Sequence, residues 1–176
     1  MKRLILFRHA KSDWPGGVDD IERPLAERGR MAAPLMGRYL RDEGLLPDLA
    51  LVSPALRTRE TWDLASAELG ETIPVRIEPR IYEAPPGQLL QVVHEIDDAV
   101  RAAILVGHNP GSHELATTLA GFGDRYAFAR LAQKYPTAGV TVLDFDVEGW
   151  RNVARRGGRL DRFVTPKTVG AERDDD

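Results

Sequence analysis

The sequence predicts an α/β fold: a single-domain three-layer sandwich in which a mainly parallel, mixed sheet lies between helices. Three observations carry that prediction. Short β-rich runs alternate with longer amphipathic segments, the pattern of strand–helix–strand units. Ala102 to Val106 is the most hydrophobic run, as expected for the middle of a parallel sheet. Beyond Thr137 the segments shorten and are divided by Glu148-Gly149 and Gly157-Gly158, the spacing of antiparallel strands joined by tight turns.

The elements follow in order. Lys2 to Phe7 reads as the first strand. Leu25 to Glu43 is the first crossover helix, with apolar residues at Leu25, Met31, Ala32, Leu35, Met36, Tyr39 and Leu40 and a stop at Gly44. Leu49 to Val52 is a second buried strand, cut off by Ser53-Pro54, and Leu56 to Leu69 a second helix ending at Gly70. Pro74 to Ile77 is a short third strand. Pro86-Gly87 opens a helix through Ile96, Ala102 to Val106 is the fourth strand, and Pro110 starts a helix reaching Ala120. Val140, Val142 and Leu143 to Phe145, then Trp150 to Val153, then Leu160 to Val164 are expected as antiparallel strands at or near one edge. Residues 1–168 form the domain, and 169–176 a disordered acidic tail.

Composition bounds the function. With 176 residues, a compact fold buries about 70% of its unfolded surface, and with no cysteine it relies on packing rather than disulfides. Apolar runs reach only five or six residues, and Met-Lys-Arg leads into a strand rather than a signal peptide, so a cytoplasmic protein without membrane partners is expected. The net charge of −3 argues against nucleic acid as a partner held by the overall field. Local cationic sites remain, and most of the cations are Arg, the side chain suited to bidentate phosphate contact.

In open α/β sheets the functional crevice lies beyond the carboxyl ends of the strands. Here those ends form a set. The first strand delivers Arg8-His9, the second runs through Ser53-Pro54 to Arg57 at a helix start, and the fourth ends in Gly107-His108-Asn109-Pro110-Gly111. Two arginines, two histidines and helix N-termini at one rim select a dianionic phosphoryl group. No carboxylate pair or metal-ligand set competes, so neither metal nor cofactor is expected.

These residues resemble the histidine phosphatase superfamily, also called phosphoglycerate mutase-like. Leu6-Phe7-Arg8-His9-Ala10 is similar to its nucleophile motif, Ser53-Pro54-Ala55-Leu56-Arg57 to its second arginine motif, and Gly107-His108-Asn109-Pro110-Gly111 to its second histidine motif. Lys11-Ser12, Arg23-Pro24-Leu25, Arg57-Thr58-Arg59-Glu60-Thr61 and Thr165-Pro166-Lys167 point to the small SixA-type phosphohistidine phosphatases within it. The resemblance spans roughly Lys2 to Lys167.

It implies a histidine-nucleophile hydrolase of phosphoric monoesters or phosphoramidates. His9 would attack phosphorus to give a covalent phosphohistidine, while Arg8, Arg57 and His108 hold the equatorial oxygens and Asn109 adds donors. Neutral His9 is required, and the neighbouring arginines disfavour its protonated form. Lys11 and Ser12 touch substrate or line the entrance. Glu83, in Ile81-Tyr82-Glu83, is the general-acid candidate by order along the chain. The SixA-type branch can dispense with such an acid, because imidazole leaves more readily than an alkoxide.

The expected substrate is a phosphorylated protein, such as a histidine phosphotransfer domain. About fifty residues separate the second motif from the third, leaving little room for insertions that close over small substrates. The rivals are a small phosphorylated metabolite as substrate, in a phosphomonoesterase of the same superfamily, and a non-catalytic phospholigand-binding module. Ala-Lys after His9, in place of Gly-Glu, argues against a mutase. His94 and His113 read as ordinary helix residues, and Lys167 as a structural end-strand residue. Arg151, Arg155, Arg156 and Arg159 read as a solvated hairpin tip whose functional alternative is docking of an acidic protein.

Overall fold

The computed structural model describes the backbone of residues 1–174 and the side chains through Gly170. At the centre of the sheet is β1, Lys2–Arg8, paired in parallel with β4, Ala102–Gly107, so that Arg8 stands opposite Gly107. Beyond β4 lie β2, Leu49–Val52, and the edge strand β3, Val75–Ile77, both parallel. On its other side β1 pairs with β6, Val140–Phe145, which runs antiparallel to it. Next comes β7, Gly158–Val164, antiparallel to β6. The far edge is β5, Ala120–Gly123, parallel to β7. The order is therefore β3-β2-β4-β1-β6-β7-β5, and β6 alone runs against the rest.

Period-two alternation in the strands divides the core into two layers. Leu4 and Leu6 of β1, with Leu105 of β4 and Leu143 of β6, face α3 (Pro86–His94), α4 (Gly111–Leu119) and α5 (Arg125–Gln133). Ile5, Phe7, Ile104, Val106 and Val142 face α1 (Glu27–Asp42) and α2 (Leu56–Ser66). Every one of these strand residues is fully buried. At about 1.5–3 kcal/mol for each such side chain, this double-sided burial fixes which way β1 delivers its last residues. No described helix is long and apolar enough to cross a membrane.

Three segments differ from expectation. Trp150 to Val153 is no strand: Trp150–Asn152 forms a 3-10 turn, because the indole Nε1 donates to Val100 O at 2.8 Å and the Trp150 N–H to Asp98 Oδ1 at 3.0 Å. Those two bonds hold the aromatic plug against the core, where it could not pair along a strand. The expected tail begins instead as α6, Pro166–Asp174. Thr165 N–H donates to Thr168 Oγ1 at 2.8 Å, capping the first turn, and Val169 packs on the α1–α2 core layer. Asp175 and Asp176 of that tail lie outside the described residues. Finally, β5 and α5 occupy a stretch for which the sequence analysis offers no element; Asp124 starts α5 by accepting from the N–H groups of Tyr126 and Ala127.

Candidate active site

β1 hands its direction on to His9. The His9 N–H donates to Gly107 O and its carbonyl accepts from Ala138 N–H, each at 3.0 Å, so neighbouring segments grip the backbone on both sides. The side chain is 7% exposed. Its Nδ1 lies 2.7 Å from Ala10 O. A carbonyl only accepts, so the proton sits on Nδ1 and the lone pair is left on Nε2. The Ala10 peptide is itself anchored, because its N–H donates to Thr61 Oγ1 at 2.9 Å while that hydroxyl donates to Arg57 O at 2.7 Å. α2 thereby sets the orientation of the β1 histidine.

The other expected residues converge on this ring. The His108 ring centroid lies 5.4 Å from that of His9, and His108 Nε2 lies 2.7 Å from Ser53 Oγ. Arg8 Nη1 donates to Tyr135 O at 2.9 Å, and Asn109 Nδ2 donates to the same carbonyl at 2.9 Å. Arg57 is only 6% exposed. Arg8 Nε, Arg57 Nε, His108 Nδ1 and Asn109 Oδ1 are buried without a hydrogen-bond partner. A buried donor left unpaired costs roughly 1–3 kcal/mol, so the two arginine Nε–H groups, joined by His108 Nδ1 in the tautomer whose Nε2 accepts from Ser53, describe a cradle built for an acceptor-rich ligand.

Electrostatics favour a neutral nucleophile. Burial, reinforced by His108, Arg8 and Arg57, lowers His9 to about 3 against the opposing Ala10 hydrogen bond. His108 is lowered to about 4, mainly by burial and then by Arg57. Burial also pulls Arg8 below its ordinary value. Desolvation, rather than the arginines expected to disfavour the imidazolium, is the larger cause of His9 neutrality.

An acidic neighbour was missed. Asp20 sits on Arg57, accepting from Nη2 through Oδ2 at 3.1 Å and from Nη1 through its backbone carbonyl at 2.7 Å. Its carboxylate also accepts from Tyr82 Oη and, at 3.1 Å, from Arg23 Nη1. These bonds, that from Tyr82 foremost, hold Asp20 down at about 2. Burial and the Asp20 contact raise Tyr82 to about 12, and its ring lies edge-on to His108 at 5.5 Å. Asp20 follows Gly16-Gly17 in a loop without periodicity, so no local signal points to it.

The remaining expected residues divide. Ser12 Oγ accepts from Arg23 Nη2 at 2.7 Å, while Lys11 is exposed beside it. Glu83 is exposed after Tyr82, in a left-handed backbone conformation with φ 55°. It makes no side-chain hydrogen bond among the described residues. His94 and His113 donate through Nε2 to the carbonyls of Val153 and Leu131 at 2.7 and 2.6 Å, in structural positions. Lys167 is not on a strand: it is exposed in the first turn of α6. The basic hairpin lies at the start of β7, which pairs with the end of β6 furthest from Arg8, so it stands at the opposite end of the sheet. No cluster of three or more potential metal ligands occurs among the described residues.

Comparison with known proteins bears on the family and the fold. A sequence profile of the histidine phosphatase superfamily (branch 1) matches residues 4–105. An uncharacterized protein of Mycobacterium tuberculosis is 38% identical over 164 residues, covering 92% of this chain and all of the relative. Among solved structures, a candidate phosphohistidine phosphatase SixA from Agrobacterium tumefaciens superposes with a TM-score of 0.80 at 30% identity, covering 94% of this chain and 99% of that one. The protein histidine phosphatase SixA complexed with tungstate shares the fold, with a TM-score of 0.73 at 18% identity over 93% and 97% of the two chains.

Proposed function

Because this chain belongs to the histidine phosphatase superfamily, we propose that it is a cytoplasmic hydrolase of protein phosphohistidine that works through a covalent phosphohistidine on His9. The observation that carries this reading is the His9 ring itself: buried, with Nδ1–H bound to Ala10 O and Nε2 free among unpaired donors. The Nε2 lone pair attacks phosphorus as the bond from phosphorus to the substrate's imidazole nitrogen breaks. With its second nitrogen protonated, that imidazole leaves as a neutral molecule. Water then attacks the phosphorus on His9, inorganic phosphate departs with the water oxygen, and Nε2 recovers its lone pair.

Arg8, Arg57 and His108 stabilise charge on the transferring oxygens, and Ser53, which accepts from Ala55 N–H at 3.3 Å, can donate its hydroxyl hydrogen to His108 Nε2. In that tautomer His108 Nδ1 carries a hydrogen for the phosphoryl group. Loss of one such donor costs about 3–4 kcal/mol of barrier. No strong acid–base partner is needed for an imidazole leaving group, which fits the solvent-exposed position of Glu83 and the low pKa of Asp20. The favoured substrate is a phosphotransfer domain whose phosphohistidine enters the open rim.

The test is parallel turnover of a phosphohistidine-bearing protein, phosphorylated metabolites and an aryl phosphate, with acid quench to trap the enzyme adduct. The expected result is preference for phosphohistidine, and loss of both adduct and turnover in His9→Ala, by a factor of at least about a thousand. Preference for esters would assign the chain to the phosphomonoesterases instead, with Glu83 as acid. Phosphate binding without adduct or turnover would make it a binding module.

A further inference from the structure

A second feature of the same rim lies outside the phosphoryl site. A cleft of about 320 Å³ runs between α1, α5 and α6, lined by Arg28, Arg130, Lys134 and Lys167 and by no acidic side chain. None of the four cations forms an ion pair among the described residues. Outside the phosphoryl site the half-buried arginines Arg3, Arg38, Arg80 and Arg162 each pair with a carboxylate, whereas the half-buried Arg130 of the cleft does not. Two of the chain's four lysines are gathered here, in a protein of net charge −3. Like charges repel, so the cluster is a local field that an anion would relieve.

The cleft adjoins the catalytic loop. Pro136 lines it and directly follows Tyr135, whose carbonyl holds Arg8 and Asn109. Arg28 precedes Gly29, which lies so close to Lys11 that an added Cβ would stand 2.1 Å from the Lys11 carbonyl oxygen. Phe163 gives the cleft an apolar floor, with the Arg130 guanidinium 5.8 Å from its ring centroid.

We propose that this cleft docks an acidic segment of the protein substrate beside its phosphohistidine. The reading rests on the protein phosphohistidine assignment above and adds what the substrate must carry. The occupant is a polypeptide rather than a small anion because the four cations come from separate segments: Arg28 from α1, Arg130 from α5, Lys134 from the residue after it and Lys167 from α6. Moreover, no buried unpaired donor lines the cleft; those around the rim belong to the phosphoryl site. Carboxylates spaced along a chain can meet dispersed cations. Such charge matching chiefly accelerates encounter and selects the partner, and is sensitive to salt.

The experiment uses the full chain and the double variant Lys134→Glu/Lys167→Glu. Fluorescence anisotropy with an unphosphorylated Asp/Glu-rich peptide and a neutral peptide of equal length reads docking without turnover. The wild type should bind the acidic peptide at least about tenfold better than the neutral one, with the advantage lost in high salt and in the double variant. Kinetics with the same two peptides carrying phosphohistidine should then show a raised KM and unchanged kcat in the variant for the acidic one alone, while free phosphoramidate is turned over equally by both enzymes. Equal binding of the two peptides, retained binding in the double variant, tighter binding of tripolyphosphate than of the peptide, or an equal loss from Arg155→Glu at the far end of the sheet would each overturn the proposal. An enzyme that docks the acidic peptide yet ignores phosphohistidine would refute the functional reading and leave the docking site standing.

Discussion

Asp20 is the residue whose presence most changes how the phosphoryl site is understood. An oxyanion that engages Arg57 Nη2 competes with the Asp20 carboxylate for that nitrogen, and a dianion beside the carboxylate is repelled as well. Asp20 is 42% exposed at its side chain, so solvent screening keeps the competition modest. Asp20→Asn should therefore lower the inhibition constant for inorganic phosphate by up to roughly fivefold, corresponding to the ~0.2–1 kcal/mol typical of such pairs. A rise instead would mean that Asp20 orients Arg57 for the ligand. Arg8, His9 and His108 were legible in the sequence because each stands at or just past a strand end, and Arg57 because Ser53-Pro54 leads from the second strand into the helix that carries it. Asp20 was not, since it lies 37 residues from Arg57 and 62 from Tyr82 and reaches them only through a loop path.

Elements hold the site by close approach, and α1 against α2 is the clearest case. A Cβ on Gly37 would stand 2.2 Å from Ala65 O, a backbone atom that cannot yield as a side chain could. Ala would gain about 1 kcal/mol in helix propensity, but separating the helices costs about 1–3 kcal/mol, and α2 carries Arg57 and Thr61. Gly37→Ala should thus be destabilising by up to about 2 kcal/mol in urea titrations, whereas Gly16→Ala, with nothing within 4 Å, should be silent. Equal midpoints for the two variants would show that the helices adjust freely. The periodicity that announces α1 contains Gly37 but does not reveal that it faces a backbone. Likewise Trp150 has a strand former's propensity, and only its distant partners Asp98 and Val100 turn it into a plug.

At the scale of the molecule, the alternating order of strands and helices made the α/β sandwich legible, because each buried strand is a contiguous apolar run. The register was not: β5 is four residues long and half glycine, too weak a signal to place at an edge. Nor could sequence show that the folded body imposes neutrality on two imidazoles at once. His9 and His108, lowered to about 3 and about 4, bind fewer protons folded than unfolded at any pH below the ordinary imidazole value of about 6.5. Their depressed values add nothing to the pH dependence above 6.5, and stability falls as pH drops from there toward 4 and 3. Below about 3.8 the lowered Asp20 adds to the loss, since its ion pairs disappear on protonation. The two histidines together withdraw on the order of 5 kcal/mol by pH 4, comparable to the whole stability of an ordinary domain. Urea midpoints should accordingly fall steeply between pH 6.5 and 4, and the His108→Asn variant should flatten that slope by about half. A midpoint constant over this window would mean that the rings titrate freely in the folded protein, and the buried, neutral His9 on which nucleophilic attack depends would have to be given up.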